Sequence, residues 1–221
     1  MQWASTEISF VPIAGMVESK MIKNIIFDIG NVLCAFRWKE YFQEFGYSEE
    51  ILERLAKATA QNEDWNEFDR GALSREAILE LFVENDPGIE KEIRQTLTNI
   101  ENLLAKYDYA VPWIEELKAK GYGCYYLSNF SQPAWEDCQH ALEFLPYMDG
   151  GILSYRDKVI KPDRAMYELL LQRYDLKAEE CVFLDDTEKN IVGAKNVGIH
   201  GIVFQNKEQA ITELRGLGVD A

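Results

Sequence analysis

The chain is short of positive charge. Its 221 residues carry 23 Lys and Arg against 38 Asp and Glu, a formal net charge of −15, and no Lys/Arg-rich run offsets that balance. A surface of this sign repels a nucleic-acid backbone, so nucleic acid is not an expected partner. An anionic ligand would need a local cation: a metal ion, a lysine or the N-terminus of a helix. Histidine is scarce, and His140 and His200 lie far apart, which argues against a zinc centre or a histidine catalyst. Four cysteines, Cys34, Cys124, Cys138 and Cys181, form no CxxC pair and no regular spacing. Cys124 and Cys181 sit in or beside apolar runs, where a free thiol packs as a small hydrophobe. That usage fits a reducing, cytoplasmic setting rather than a disulfide framework. Trp3 to Met16 has no basic start and no long apolar core, and it carries Glu7, so it reads as neither signal peptide nor membrane anchor. Residues 1–20 are expected to be an extension, disordered or packed peripherally, without function. Internal repeats and low-complexity tracts are missing as well.

What is present describes a soluble globular protein: 47% hydrophobic and 28% charged residues. The length supports one α/β domain plus a smaller inserted module. Ile22 to Phe27 is an apolar segment broken only by Lys23 and Asn24, and it ends at Asp28-Ile29-Gly30-Asn31. Near-continuous apolar residues followed by an acid and a glycine predict a buried parallel strand feeding a tight loop. The pattern recurs. Tyr122 to Leu127 ends at Ser128-Asn129, Cys181 to Leu184 at Asp185-Asp186, and Ile199 to Phe204 at Gln205-Asn206.

Helical patterns lie between these strands. Pro112, the stripe Trp113, Ile114, Leu117, and the stop at Gly121 predict one helix. Ala165, Leu169 and Leu170 mark a second after Pro162; Ile191, Ala194 and Val197 mark a third. Strands alternating with helices imply βαβ units and a parallel, Rossmann-like sheet flanked by helices. One stretch breaks the alternation. Between Arg37 and Tyr109 the patterns are helical and no strand is expected: Ile51, Leu52 and Leu55 form one stripe, Ile78, Leu81 and Phe82 another. Ile89, Ile93, Leu97, Ile100 and Leu104 then step by four, four, three and four, which predicts a long amphipathic helix after a turn at Asp86-Pro87-Gly88. The expected organisation is a core of residues 21–36 and 110–221 with an inserted helical cap over residues 37–109.

In an open α/β sheet, ligands bind in the crevice at the carboxyl ends of the strands. The polar residues there are Asp28, Ser128-Asn129 and Asp185-Asp186, with Lys161 arriving on the loop Val159-Ile160-Lys161-Pro162. Taken singly, each admits a structural role. Asp28 suits a turn, Ser128 a cap for the helix near Gln132, Lys161 a surface helix start, and Asp185-Asp186 the dipole of the helix from Glu188. Four such groups, each at a strand end or on a crevice loop and in a fixed order, rarely coincide for capping alone.

These residues carry a resemblance. Phe27-Asp28-Ile29-Gly30-Asn31-Val32-Leu33, Leu127-Ser128-Asn129, Lys161-Pro162-Asp163 and Phe183-Leu184-Asp185-Asp186 resemble motifs I to IV of the haloacid dehalogenase (HAD) superfamily. The helical insert is similar to its C1-type cap. Within it, Asp69-Arg70-Gly71-Ala72-Leu73-Ser74 resembles the cap segment of a bacterial subgroup that includes α-glucose-1-phosphate phosphatases. The match runs from Ile22 to about Asn206.

The resemblance implies a Mg²⁺-dependent phosphatase acting on a small phosphorylated metabolite, a sugar phosphate by analogy. Asp28 would be the nucleophile, forming an acyl phosphate that splits hydrolysis into two steps. Asp28, the backbone carbonyl of Gly30 and Asp186 would hold Mg²⁺, with Asp185 orienting its shell. Lys161 would balance charge, and Ser128 and the N–H of Asn129 would donate to phosphoryl oxygens. Asp69, Arg70, Trp65 and Phe68 are the cap residues expected near substrate, although aromatics at helical spacing also pack cores. Arg37 and Trp38 fall where a hinge is expected. A monomer or weak homodimer is anticipated, with no membrane partner.

One position departs from the family pattern. Most phosphatases of the superfamily carry an acid/base aspartate two residues after the nucleophile; this chain has Gly30. Its loss removes an effect worth roughly 10²–10⁴-fold in rate. A good leaving group, a replacement donor from the cap or from water, or weak catalysis would each account for that. Two other readings stay open: a 2-haloacid dehalogenase, which needs no metal and lacks the paired acids at Asp185-Asp186, and a non-catalytic phosphate-binding regulator.

Overall fold

In the computed structural model, residues 21–221 are described, and the reading of residues 1–20 lies outside the described residues. The strands run in chain order β1 (Asn24–Phe27), β2 (Cys34–Phe36), β3 (Leu104–Lys106), β4 (Gly123–Ser128), β5 (Gly150–Leu153), β6 (Cys181–Asp185) and β7 (His200–Val203). Five of them form one parallel sheet in the order β5-β4-β1-β6-β7, and β2 pairs antiparallel with β3.

Helices α1 (Trp38–Gln43), α2 (Glu49–Ala58), α3 (Trp65–Arg70), α4 (Arg75–Asn85) and α5 (Glu90–Leu97) lie between β2 and β3. The rest follow the sheet: α6 (Ala110–Ala119), α7 (Gln132–Asp137), α8 (Ser154–Asp157), α9 (Arg164–Arg173), α10 (Glu188–Lys195) and α11 (Lys207–Gly216). Pro112 stands in the first turn of α6, where its missing N–H has no intrahelical partner to lose.

Period two sorts β1 between both layers. Ile25 and Phe27 join the cluster containing Trp113, Ile114 and Leu117 of α6, which continues into the helical segment through Phe42, Leu55 and Phe82. Ile26 points the other way, onto Met166, Tyr167 and Leu170 of α9 and Ile191 and Ala194 of α10. Each wholly buried Ile, Leu or Phe contributes about 1.5–3 kcal/mol. All four cysteines are buried free thiols. Among the described residues no helix is long and apolar enough to cross a membrane.

The expectation of a strand-free segment from Arg37 to Tyr109 is corrected. The long helix from Ile89 to Leu104 is broken after Leu97; a 3-10 turn, Glu101–Leu103, follows, and Leu104 opens β3. All five residues of the stripe are buried, so the spacing reported burial correctly and helicity only in its first half. β2 and β5 were also not expected. β2 is only three residues long, and β5 begins with two glycines, a weak strand signal.

Candidate active site

The sheet register assembles the site. Phe27 pairs with Tyr126 on one side and with Leu184 on the other. One residue further, Asp28 and Asp185 stand level at the strand ends, with Ser128 within one residue of them. β1 sits where the chain switches from β4 and β5 on one side to β6 and β7 on the other, and that switch opens the crevice.

Lys161 enters this crevice and is 2% exposed, so it is no surface lysine at a helix start. Its Nζ lies 2.8 Å from Asp28 Oδ1 and 2.6 Å from Asp185 Oδ2. The side chain of Asn129 fixes the lysine's backbone: Lys161 N donates to Asn129 Oδ1 at 2.7 Å, and Asn129 Nδ2 donates to Lys161 O at 3.1 Å. Ser128 is buried and does not cap α7; Ser131 does, accepting from Ala134 N at 3.1 Å. Asp28 keeps part of a turn residue's role, since its Oδ1 accepts from Ile29 N at 2.7 Å.

Asp185 is fully buried, and it accepts from Thr187 N at 2.8 Å and from Asn190 Nδ2 at 3.1 and 3.0 Å. It therefore braces both the lysine and the start of α10. Asp186 is exposed and accepts from Asn31 Nδ2 at 2.8 Å. Asp28, Asp185 and Asp186 each offer a carboxylate oxygen within 4.8 Å of the others, and Gly30 lines the cleft beside them. Hard carboxylate oxygens at this separation fit a divalent cation of the magnesium or calcium type better than a soft metal.

The charges are interdependent. Burial pushes the Asp28 carboxyl up to about 7; Lys161 and Ser128 oppose the shift and Asp185 adds to it. Burial pulls Lys161 down, but Asp185 and Asp28 outweigh it and hold the ammonium above its ordinary value. One ammonium shared by two buried carboxylates leaves net negative charge at the strand ends, the condition that favours a bound cation.

Asp28, Ser128, Asn129, Lys161 and Asp186 share a cleft of about 350 Å³ whose apolar lining includes Phe36, Trp65, Phe68, Leu103, Leu104 and Phe130. Trp65 serves the helical core as well as the cleft, stacking on Phe82 with ring centroids 5.8 Å apart. Asp69 also lines the cleft. Its carboxyl is pushed up to about 8 by burial and by Asp28, against Lys161. Arg70 does not line it: Nε binds Glu67 at 3.1 Å and Nη1 binds Lys158 O at 3.4 Å. Arg37 ties the entry of the helical segment to its exit, through Arg37 N to Leu103 O at 2.9 Å and Nη1 to Asn102 O at 3.2 Å.

Sequence reasoning missed Asn31, Thr187, Asn190 and Ser154. Asn190, in the first turn of α10, bonds Asp185 five residues back and outside that helix, so no helical spacing flagged it. Ser154 gave no signal, because its partners are 24 and 85 residues away.

The chain is 26% identical over 195 residues to sesquiterpene phosphatase astK of Aspergillus oryzae, covering 88% of this chain and 96% of that one. It spans only 37% and 19% of two further curated relatives. Its fold is shared with a HAD family enzyme of Bacteroides thetaiotaomicron in its magnesium complex, at 21% identity and TM-score 0.67, covering 89% and 100% of the chains. L-2-haloacid dehalogenase of Xanthobacter autotrophicus has the fold too, at 19% identity, TM-score 0.58 and 91% and 85% coverage. The family model for haloacid dehalogenase-like hydrolases matches residues 22–198, and the chain belongs to that family.

Proposed function

We propose that the protein is a Mg²⁺-dependent phosphatase that removes phosphate from a small phosphorylated metabolite through an aspartyl-phosphate on Asp28. The observation that carries this reading is the grouping of Asp28, Asp185 and Asp186 at the base of one cleft, with Lys161 bridging Asp28 and Asp185. Asp28, the Gly30 carbonyl and Asp186 would hold the Mg²⁺, which supplies charge neutralisation between the carboxylate and the phosphoryl group. Asp28 attacks phosphorus, and Lys161, anchored by Asp185, keeps positive charge beside the nucleophile. The Ser128 hydroxyl and the Asn129 N–H donate to the transferring oxygens, while the Asn129 side chain keeps Lys161 in place. Residues 37–109 act as the cap that covers the cleft and excludes water.

The organic part of the substrate faces the aromatic and aliphatic wall. A sugar phosphate is the expectation from the resemblance; the wall of Phe36, Trp65, Phe68, Leu103, Leu104 and Phe130 favours a more apolar group. The name of the Aspergillus oryzae relative points the same way. A dehalogenase reading is permitted by Gly30 and by the shared fold. The acids at Asp185 and Asp186 weigh against it.

A phosphate-release screen over sugar, isoprenoid and aryl phosphates decides among these. Release is expected with Mg²⁺, to be abolished by EDTA and restored by added Mg²⁺. Activity on 2-haloacids that EDTA leaves untouched would replace the phosphatase reading.

A further inference from the structure

We propose that Asp69, on the helical segment, is the general acid and base that this site lacks at Gly30. The proposal rests on the phosphatase reading and assigns a proton-transfer group within it. Three carboxyls line the cleft: Asp28 and Asp186 belong to the strand ends, and Asp69 comes from α3 of the helical segment. Asp28 and Lys161 are the two charged groups whose fields reach it. Its neighbours' charges are engaged elsewhere: Arg70 with Glu67, Arg156 over the Trp135 ring, Asp157 with Arg173, and Lys158 with Gly71 O. Among the described residues nothing makes a hydrogen bond or salt bridge to the Asp69 carboxyl.

The backbone beneath it, by contrast, is held. Ser154 Oγ donates to Asp69 O at 2.6 Å and accepts from Phe130 N at 2.8 Å, tying α3 to the loop after β4. Gly71 follows with φ of 65°, and a Cβ there would meet Tyr155 Cβ at 2.7 Å, so only glycine lets the two segments approach this closely. A carboxyl with a fixed base and no partner, aimed into a cleft, suits a donor whose hydrogen bond is made only with substrate present. Its raised pKa, about 8, keeps the proton on the acid near neutrality.

The step balances. Asp28 forms the O–P bond as the bond from phosphorus to the leaving oxygen breaks. The electron pair stays on that oxygen, and the Asp69 proton moves to it, releasing an alcohol and leaving Asp69 as carboxylate. Water then attacks phosphorus and gives its proton to Asp69. The Asp28–phosphorus bond breaks, and phosphate leaves.

The test compares wild type, Asp69→Asn and Asp69→Glu on phosphate esters running from p-nitrophenyl through phenyl to alkyl, in the presence of Mg²⁺. Asp69→Asn is expected to lower kcat/KM, which reports the step that releases the alcohol, by about 10²–10³-fold on alkyl phosphates and by less than about 10-fold on p-nitrophenyl phosphate, because nitrophenolate leaves without a proton. Retained p-nitrophenyl activity also reports an intact fold. Adding Gly30→Asp to Asp69→Asn is expected to recover part of the alkyl-phosphate activity, since a Cβ at Gly30 meets nothing nearer than Phe36 Cβ at 4.0 Å. An equal loss on every ester, the mark of a structural role, overturns the assignment, and so does an unchanged rate on alkyl phosphate. A wild type that releases phosphate from none of them fails the phosphatase reading itself.

Discussion

Lys161 is the residue on which the site's electrostatics turn. It is one cation between two carboxylates, all three withdrawn from water, and each needs the others to justify its burial. Lys161→Ala is expected to cost about 3–5 kcal/mol in urea unfolding, because it strands Asp28 and Asp185 without a counter-charge. A loss below about 1 kcal/mol, the range of an exposed ion pair, would show that the triad is solvated. At this scale the sequence was informative wherever chemistry ends a strand. Asp28, Ser128 and Asp185-Asp186 interrupt apolar runs; the structure brings Asp28, Ser128 and Asp186 into one cleft with Lys161 and sets Asp185 behind the lysine. It was silent wherever a side chain's purpose is tertiary. The expectation for Asn129 concerns its backbone N–H alone; that its side chain braces the Lys161 backbone could not be read from the chain. Ser154 looks like nothing at all.

The short elements decide how the helical segment meets the sheet. α3 has six residues, too few to persist alone, and is held by its contact with α8 and by the Ser154 hydroxyl. Ser154→Ala leaves the buried Phe130 N–H without its acceptor, a loss of about 1–3 kcal/mol. It also frees the backbone of Asp69. Chemical denaturation should register the first effect and a lower kcat on alkyl phosphates the second; a variant with wild-type stability would show that the hydroxyl contributes nothing to the junction. Elements of this kind were the least legible. β2 and β3 are three-residue strands that pin the two ends of the helical segment together, and neither is long enough for period two to register. The stripe from Ile89 to Leu104 misled for a related reason: Ile93 and Leu97 are buried from a helix, Ile100 from the link ahead of the 3-10 turn and Leu104 from a strand, and their succession imitates a single helix. The central strands were readable because both faces are covered, which forces apolar residues at every position.

Over the whole molecule, a net charge of −15 surrounds a site that must receive an anion. The fold resolves the conflict locally. It brings Lys161 and a carboxylate group suited to a divalent cation to the switch point of a parallel sheet, at a cleft also lined by aromatic and aliphatic side chains. The rest of the surface can then stay acidic. The architecture follows from alternating strands and helices, and that much could be read before any coordinates. What the alternation could not convey is the apolar lining of the cleft, which comes from segments scattered between Phe36 and Phe130. The central claim remains that Asp28 carries the phosphoryl group. Acid-quenching the enzyme during turnover of a radiolabelled phosphate ester, then mapping the labelled peptide beside Asp28→Asn, tests it most directly. Label on the peptide containing Asp28, with the variant both unlabelled and inactive, is the predicted result; undiminished turnover by Asp28→Asn would contradict it.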